Sequence, residues 1–296
     1  MCELFYIRNK ADKPIPEHAL HDFVETAILG SYSNSHGTGA FNRNGVIFKT
    51  RTPLHEMSKD AIVDLLNGSR EIVFHVRKST VGTVNNRNSH PFNYSNHVLA
   101  HNGSMRNLES ELNDITDSEK FLRQTVDMDD ANGTIEKIKD SLAETKGWLS
   151  IFHLDKESNS LYYYRNRASF TFGESDSFLV GATVKDRLNS FSTMRTDSET
   201  VYNRFEPDEG VIYEINHNMV LETEEFDLGK DVETYSKSGY TGSTRWRSYG
   251  RYHNQLKHDS NYKERKESES GYTDKADGLS GNNPDYEENA LGRLFE

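Results

Sequence analysis

The composition of the chain changes at Gly229, and this change limits which residues can form a packed core. Residues 1–228 carry apolar side chains in regular patterns, whereas residues 229–296 are dominated by Gly, Ser, Asn, Lys, Glu and Tyr. With few aliphatic side chains to bury, the second segment cannot offset the conformational entropy that ordering costs. We therefore expect one folded domain over residues 1–228 and a disordered polar tail over residues 229–296, with a short apolar end.

The charge of the chain argues against two classes of partner. The formal net charge is −12 at pH 7, whereas nonspecific binding to nucleic acid or to an anionic membrane requires a cationic surface. The sequence begins with no basic region followed by an apolar stretch, and no apolar run reaches the length that spans a membrane. We expect a cytoplasmic protein that binds neither nucleic acid nor membrane.

Helices are predicted where apolar residues recur at helical spacing or follow a capping residue, at Glu17–Leu29, Ser58–Gly68, Ser118–Thr125 and Gly133–Glu144. Strands are predicted at short apolar runs, at Cys2–Arg8, Ile72–Val76, His97–His101, Trp148–Leu154, Leu161–Arg165, Ser169–Phe172, Phe178–Gly181, Val211–Ile215 and Met219–Glu225. Asn44 and Gly45 predict a tight turn within a hairpin at Gly39–Lys49. Two groups of strands with helices between them indicate an α+β fold of two packed sheets covered by helices.

Cys2 is the only cysteine in the sequence. A single cysteine excludes an intramolecular disulfide and a metal site built from several thiolates. Aminopeptidases remove an initiator methionine when the next residue is small, as cysteine is, so we expect Met1 to be removed. The new terminal residue would carry both a thiol and an α-amine, and an amine with a pKa of about 8 can act as base toward its own side chain.

Residues with chemical potential are densest between His75 and Gly103, in the segments HVRKSTVG (His75–Gly82), NSHPF (Asn88–Phe92) and AHNG (Ala100–Gly103). Taken singly, each segment has an ordinary structural interpretation. Histidines at strand ends are usually hydrogen-bonded core residues, and Asn-Gly is usually a turn. The segment Thr116–Glu119 (TDSE) fits a helix capping box, in which Thr116 caps the helix and Glu119 reaches back.

Taken together with Cys2, these segments resemble the class II glutamine amidotransferases of the N-terminal nucleophile hydrolase superfamily. The chain is similar to the stand-alone group that begins with Met-Cys-Glu-Leu. The matching segments, in order, are MCELF at the start, HGTGAF (His36–Phe41), HVRKSTVG, NSHPF, AHNG, TDSE and GWLSIF (Gly147–Phe152). The resemblance covers roughly residues 2–226 and implies a four-layer αββα sandwich with two packed antiparallel sheets.

The resemblance also implies a role for each member of the catalytic set. Cys2 would attack the side-chain carbonyl of glutamine and form a thioester while ammonia leaves. The side-chain amide of Asn102 and the backbone N–H of Gly103 would form the oxyanion hole that stabilises the charge created by this attack. No metal and no organic cofactor is expected.

Further residues would recognise the glutamyl end of the substrate. Arg77 matches the arginine that binds the α-carboxylate through a bidentate contact, with added contacts from Thr80 and from the backbone of Val76. Asp117 matches the acidic residue that pairs with the α-ammonium, and we expect it to point away from the cap that Thr116 forms. His75, His90 and His101 would support the pocket rather than transfer protons.

Three residues depart from the family pattern near the pocket. Lys78 stands where relatives often have Trp or Gln, Val81 where Asn or His is common, and Thr38 where a Trp is frequent. None of these replaces a catalytic group, but each can alter what fills the pocket. The nucleophile is therefore better specified by the sequence than the substrate is.

Three functions remain compatible with the sequence. The first is hydrolysis of glutamine with delivery of ammonia to an acceptor on a partner protein, since the sequence has no phosphate loop and no nucleotide-binding fingerprint. The apolar end of the tail, Ala290–Phe295, is a candidate tether to that partner. The second is hydrolysis of γ-glutamyl amides or peptides on the same fold, and the third is an interaction module without catalysis.

Overall fold

The computed structural model of the chain describes residues 2–80, 82–108, 115–128, 133–191, 201, 203–215 and 220–225. The expected tail, residues 229–296, lies outside these described ranges, and so do Met1 and Val81. The division of the chain at residue 228 therefore stays a prediction.

Two antiparallel sheets form the centre of the described structure. The strands are β1 (Glu3–Asn9), β2 (Thr38–Asn42), β3 (Gly45–Thr50), β4 (Glu71–Val76), β5 (Phe92–Tyr94), β6 (His97–Met105), β7 (Gly147–Asp155), β8 (Ser160–Asn166), β9 (Thr171–Glu174), β10 (Phe178–Ala182), β11 (Arg204–Phe205), β12 (Val211–Ile215) and β13 (Val220–Glu225). The first sheet has the order β11-β9-β10-β1-β4-β2-β3, and the second has the order β13-β12-β8-β7-β6-β5. The helices are α1 (Glu17–Ser31), α2 (Lys59–Leu66), α3 (Asp117–Asp127), α4 (Thr134–Ala143) and α5 (Arg187–Phe191), with a 3-10 turn at Leu54–Glu56.

Local chemistry accounts for several element boundaries. Ser58 caps α2, because its hydroxyl accepts a hydrogen bond from the backbone N–H of Ala61 (3.4 Å). The predicted hairpin is confirmed: β2 and β3 pair across a turn at which Gly45 has φ of +122°, a conformation that glycine adopts without steric cost. One irregularity falls between Ala40 and Phe41, where the register shifts.

The first sheet buries its outer face under α1, α2 and α5. Side chains alternate along β1, so that Phe5 and Ile7 join the same apolar cluster as Phe23 of α1 and Ile62 of α2. Tyr6, between them, faces the second sheet and stacks on Phe152 of β7, with ring centroids 5.4 Å apart and planes at 12°. Full burial of one such aromatic side chain stabilises the fold by about 1.5–3 kcal/mol.

The second sheet is covered by α3 and α4 on its own outer face. Leu99 and Met105 of β6 pack with Phe121 of α3 and Leu142 of α4 in one buried cluster. The layers therefore run helix, sheet, sheet, helix. The predicted α+β fold, a four-layer αββα sandwich with two antiparallel sheets, is confirmed.

The sequence did not predict the shortest elements. These are β5, β11, α5 and the 3-10 turn, each five residues or fewer. Such segments carry too few periodic positions to distinguish them from loops, and they form because neighbouring strands and helices hold them. All the predicted helices and strands are present, with boundaries that differ by a few residues.

Candidate active site

The thiol of Cys2 lies at the end of the first sheet where β1 begins and β4 ends. Glu3 pairs with Val76 in this ladder, which brings Cys2 beside Arg77 and Lys78. The backbone N–H of Lys78 donates to the Cys2 Sγ (3.2 Å), and the thiol lies 3.4 Å from the Lys78 carbonyl oxygen. Burial raises the pKa of the Cys2 thiol, while the Lys78 hydrogen bond and the Arg77 guanidinium act in the opposite direction.

Asn102 and Gly103 lie in β6, the strand of the second sheet that follows the histidine-rich segment. Asn102 is fully buried, and neither its amide nitrogen nor its amide oxygen has a hydrogen-bond partner among the described residues. Gly103 has φ of +153°, and a Cβ at this position would lie 2.1 Å from the backbone oxygen of Trp148. Only glycine fits there, because the backbone of β7 lies against residue 103.

The guanidinium of Arg77 is almost fully buried immediately after β4. Its Nη1 donates to the carbonyl of Thr83 (3.3 Å) and its Nη2 to the hydroxyl of Ser79 (3.2 Å). Burial lowers the pKa of Arg77, and the neighbouring Cys2 and Asp117 raise it. These electrostatic neighbours indicate that thiol, guanidinium and carboxylate share one region.

Thr80 and Val76 occupy different surroundings from Arg77. The side chain of Thr80 is exposed, whereas the side chain of Val76 is buried in the apolar cluster under α1 and α2. Val76 can therefore contribute to a pocket only through its backbone, as the resemblance implies.

Asp117 is the first residue of α3 and is nearly buried. Its Oδ2 accepts a hydrogen bond from the backbone N–H of Met105 (2.9 Å), and its Oδ1 accepts one from the backbone N–H of Ser118 (2.8 Å). The expectation that Asp117 points away from the helix cap is wrong in this respect, because Oδ1 satisfies one of the N–H groups of the first turn.

The capping box at the start of α3 is only half formed. Thr116 caps the helix as predicted, since its hydroxyl accepts from the backbone N–H of Glu119 (3.3 Å). The expectation that Glu119 reaches back is wrong. Its Oε1 instead forms ion pairs with Arg123 (2.9 Å) and Arg87 (3.6 Å). These contacts are favoured because charge-assisted hydrogen bonds are stronger than a bond to a neutral backbone N–H.

The three histidines form a buried cluster between the two sheets. The rings of His75 and His90 lie 4.1 Å apart, and those of His90 and His101 lie 6.4 Å apart. His75 Nε2 donates to the backbone oxygen of His101 (3.1 Å), because a carbonyl can only accept. Burial lowers the pKa of His75 to about 3 and lowers those of His90 and His101 as well. All three imidazoles are therefore neutral at pH 7.

Unpartnered buried polar atoms gather at this end of the sheets. Among the described residues they include Nδ1 of His75, both ring nitrogens of His90, Nε2 of His101 and both amide atoms of Asn102. Each such group costs about 1–3 kcal/mol relative to a hydrogen-bonded one. A concentration of this cost in one place is typical of a functional site rather than of a core built for stability.

Comparison with known proteins gives a family match over the middle of the chain. A family model described as "Glutamine amidotransferases class-II" matches residues 32–146. This range includes Arg77, Asn102, Gly103 and Asp117 and begins after Cys2.

Over this range, which is less than half of its length, the chain is similar to the class II glutamine amidotransferases.

Solved structures agree with the class II amidotransferase fold. Glutamine phosphoribosylpyrophosphate amidotransferase from B. subtilis, complexed with ADP and GMP, matches with a TM-score of 0.54 and 17% identity. A second structure, the allosteric regulatory enzyme of purine biosynthesis, matches with a TM-score of 0.54 and 16% identity. In both cases the match covers 76% of this chain and 49% of the other, so the chain spans about half the length of these proteins.

A third structure is a glutamine aminotransferase class-II domain protein from Silicibacter pomeroyi, with a TM-score of 0.46 and 14% identity, covering 76% of this chain and 99% of the other. No curated protein sequence matches this chain.

Within the described ranges, no helix is long and apolar enough to cross a membrane. The same residues contain no group of three or more His, Cys, Asp or Glu side chains that could hold a metal ion.

Two contributors to the candidate site were not predicted from the sequence. The backbone of Lys78 contacts the thiol, and the side chain of Ser118 links His101 to Asp117. A backbone contact does not depend on which amino acid is present, so the sequence does not reveal it. A serine is common in the first turn of a helix, so Ser118 gave no signal of a further role. Only the pairing of β1 with β4, and the packing of α3 on β6, bring these atoms to the site.

A polar cavity of about 390 Å³ lies at the other end of the first sheet. Its charged lining includes Arg8, Arg43, Arg70, Glu71 and Asp12. Glu71 pairs with Arg8 (3.2 Å) and with Arg43, and Asp12 pairs with Arg70 (3.2 Å). The charged residues that line this cavity therefore pair with one another, and their ion pairs join neighbouring strands and loops at this end of the sheet.

Proposed function

We propose that this protein hydrolyses the side-chain amide of glutamine through a thioester on Cys2 and releases ammonia to an acceptor on a partner protein. The observation that carries the proposal is the fully buried amide of Asn102, which has no hydrogen-bond partner among the described residues. The next position, 103, accommodates only glycine. A buried amide with no partner among the described residues has its N–H groups available to donate to a ligand oxygen. Cys2 directly precedes β1, which contacts β6, and its thiol interacts electrostatically with Arg77 and Asp117.

The reaction begins with proton transfer from the thiol. With Met1 removed, the α-amine of Cys2 takes the thiol proton, and Sγ attacks the amide carbon of glutamine. The oxyanion formed on the carbonyl oxygen is stabilised by the Asn102 amide and the Gly103 N–H. The amine then passes the proton to the leaving nitrogen, the C–N bond breaks, and ammonia departs. Water attacks the thioester, and glutamate and the free thiol are regenerated.

A base is needed because burial disfavours the thiolate. Burial raises the pKa of the Cys2 thiol, so the fraction ionised at neutral pH is small. An α-amine with a pKa of about 8 is suited to remove this proton near neutrality. The neutral histidines nearby have pKa values lowered by burial, which makes them weak bases for this step.

Recognition of the glutamyl end falls to the charged residues of the site. Arg77 presents a planar guanidinium to the α-carboxylate, and Asp117 presents a carboxylate to the α-ammonium. Both side chains are nearly buried and both influence the Cys2 thiol electrostatically. Binding between them orients the side-chain amide toward the thiol.

Hydrolysis of other γ-glutamyl amides is the second candidate function. Arg77 and Asp117 would contact only the glutamyl end, and Lys78, beside the thiol, is exposed to solvent. This exposure leaves room for a leaving group larger than ammonia. Turnover of γ-glutamyl amides with a higher kcat/KM than glutamine would favour this candidate.

Three measurements on the purified protein test the primary proposal. Intact mass should show that Met1 is absent, and a glutamine-mimicking diazo-ketone should add once, at Cys2, with glutamine protecting against the addition. Ammonia and glutamate should appear in equal amounts when glutamine is supplied. Retention of Met1 would contradict the proposal, because the α-amine would then be part of a peptide bond.

Substitution of Arg77 tests the assignment of the carboxylate partner. Arg77→Ala should raise the KM for glutamine about 10- to 100-fold, because a charge-assisted contact contributes about 1.5–3 kcal/mol. The value of kcat should change much less. Arg77→Lys, which keeps the charge but loses the bidentate geometry, should fall between Arg77→Ala and the unmodified protein.

Arg70→Ala is the matched control for this prediction. Arg70 is exposed at the opposite end of the first sheet, where it pairs with Asp12. Steady-state kinetics should give an unchanged KM for Arg70→Ala. An Arg77→Ala protein that folds normally and keeps the original KM would rule out the carboxylate assignment.

A further inference from the structure

Among the described residues, no side-chain hydrogen bond holds the Asn102–Gly103 segment in place through its own side chains. The Asn102 side chain has no hydrogen-bond partner among the described residues, and Gly103 has no side chain. The position of both donors therefore depends on the backbone ladder of β6 and on the residues that flank them. An oxyanion hole requires donors held near their working positions, since a misplacement of about 1 Å can cost about 10²-fold in rate.

The start of α3 is hydrogen-bonded to β6 on both flanks of this segment. On one flank, Asp117 Oδ2 accepts from the backbone N–H of Met105 (2.9 Å). On the other flank, the Ser118 hydroxyl is hydrogen-bonded to Nδ1 of His101 (2.9 Å). The same hydroxyl donates to Asp117 Oδ1 (3.2 Å), so the two anchors are joined to each other.

The proton arrangement follows from the number of hydrogens available. Ser118 Oγ carries a single hydrogen, and when it donates to Asp117 the contact with His101 is formed by the Nδ1–H of the imidazole. The imidazole is neutral because burial lowers its pKa. His101, Ser118 and Asp117 thus form one directed series that ends on a carboxylate.

The first sheet supplies a third hydrogen bond that holds β6, and this bond is made to His101. His75 Nε2 donates to the backbone oxygen of His101 (3.1 Å), directly before Asn102. His75 belongs to β4, which also leads into Arg77. The residue that precedes the oxyanion donors is thereby held from the α3 side through its ring and from the first sheet through its carbonyl.

We propose that Ser118 is a positioning residue of the oxyanion hole, acting through His101 on Asn102 and Gly103. The inference rests on the proposed glutamine hydrolysis at Cys2. Ser118 touches none of the reacting atoms in this scheme. It joins the carboxylate assigned to the substrate α-ammonium, Asp117, to the strand that carries the oxyanion donors.

This arrangement predicts a specific kinetic signature. Loss of the Ser118 hydroxyl leaves Arg77 and Asp117 in place, so the ground-state binding of glutamine should change little. The donors to the oxyanion lose one flank anchor, and this affects only the transition state. A residue that serves stability alone would lower the melting temperature without separating kcat from KM.

The experiment compares Ser118→Ala, Ser118→Thr and Ser141→Ala in the full chain. Ser141 is a fully buried serine in α4, where its hydroxyl contacts Met128, so Ser141→Ala removes an equivalent group outside the site. Ser118→Ala should lower kcat for glutamine about 10-fold or more and leave KM within about 3-fold. Ser118→Thr, which retains a hydroxyl, should recover most of the lost kcat, and Ser141→Ala should match the unmodified protein.

The outcomes separate this inference from the function on which it rests. A kcat for Ser118→Ala equal to that of Ser141→Ala, in an unmodified protein that turns over glutamine, would overturn the positioning role alone. A rise in KM without loss of kcat would also overturn it, because Ser118 would then act in binding. If the unmodified protein neither hydrolyses glutamine nor reacts with the diazo-ketone, the proposed function fails and the positioning role fails with it.

Discussion

Cys2→Ala should abolish glutamine hydrolysis, with a loss in kcat of about 10⁴-fold or more, as removal of a catalytic nucleophile produces in other hydrolases. Alanine keeps the terminal α-amine and is as readily exposed by removal of Met1 as cysteine is. The substitution therefore deletes the sulfur alone. Cys2 is half-buried and its sulfur contacts only the backbone of Lys78 in the described hydrogen bonds, so we expect the fold to be retained.

The measurement is ammonia release at saturating glutamine, together with labelling by the diazo-ketone. Cys2→Ser serves as a second variant, because its hydroxyl is a weaker nucleophile in the same place and should retain only a trace of activity. Thermal unfolding of all three proteins should coincide within a few degrees. A Cys2→Ala protein with activity within 10-fold of the unmodified one would show that the nucleophile lies elsewhere.

Asn102→Ala should lower kcat about 10²- to 10³-fold while KM for glutamine changes little. This range is the usual cost of removing one donor from an oxyanion hole. The fold should tolerate the change, because neither amide atom of Asn102 has a partner among the described residues that would be left unsatisfied. Loss of rate without loss of stability is the feature that distinguishes an oxyanion donor from a buried structural asparagine.

Asn42→Ala is the control for this substitution. Asn42 ends β2 at the far end of the first sheet, and its amide donates to the hydroxyl of Ser69 (3.0 Å) while its oxygen accepts from the backbone of Asn44 (2.8 Å). Its replacement should lower stability and leave kcat unchanged. If Asn102→Ala shows this same pattern, the oxyanion assignment is wrong.

The sequence predicted the architecture because its signals were strong and local. The periodic apolar residues of α1, the Ser58 cap and the Asn44-Gly45 turn each act within a few residues, and each recurs in the structure. The layers followed because alternating strands and amphipathic helices have few ways to bury their apolar faces together. Short elements such as β5 and α5 escaped prediction because tertiary contacts, rather than local preference, form them.

The site was predicted by residue identity and not by its contacts. Asp117 was expected to leave the helix cap to Thr116, but its carboxylate also bonds to Ser118 and Met105. Glu119 was expected to complete a capping box and instead pairs with two arginines. A carboxylate can satisfy several donors at once, and which donors it meets depends on helix placement that no local pattern encodes.

The location of the site between two sheets has a consequence for how the sequence can vary. The thiol directly precedes β1 of the first sheet, while Asn102 and Gly103 belong to β6 of the second. The aromatic pair Tyr6–Phe152 is one of the contacts that join these sheets. Exchanges in this buried layer that leave the melting temperature intact can still shift one sheet over the other by a fraction of an ångström. Selection on turnover would then restrain side chains distant from the substrate as firmly as those that touch it.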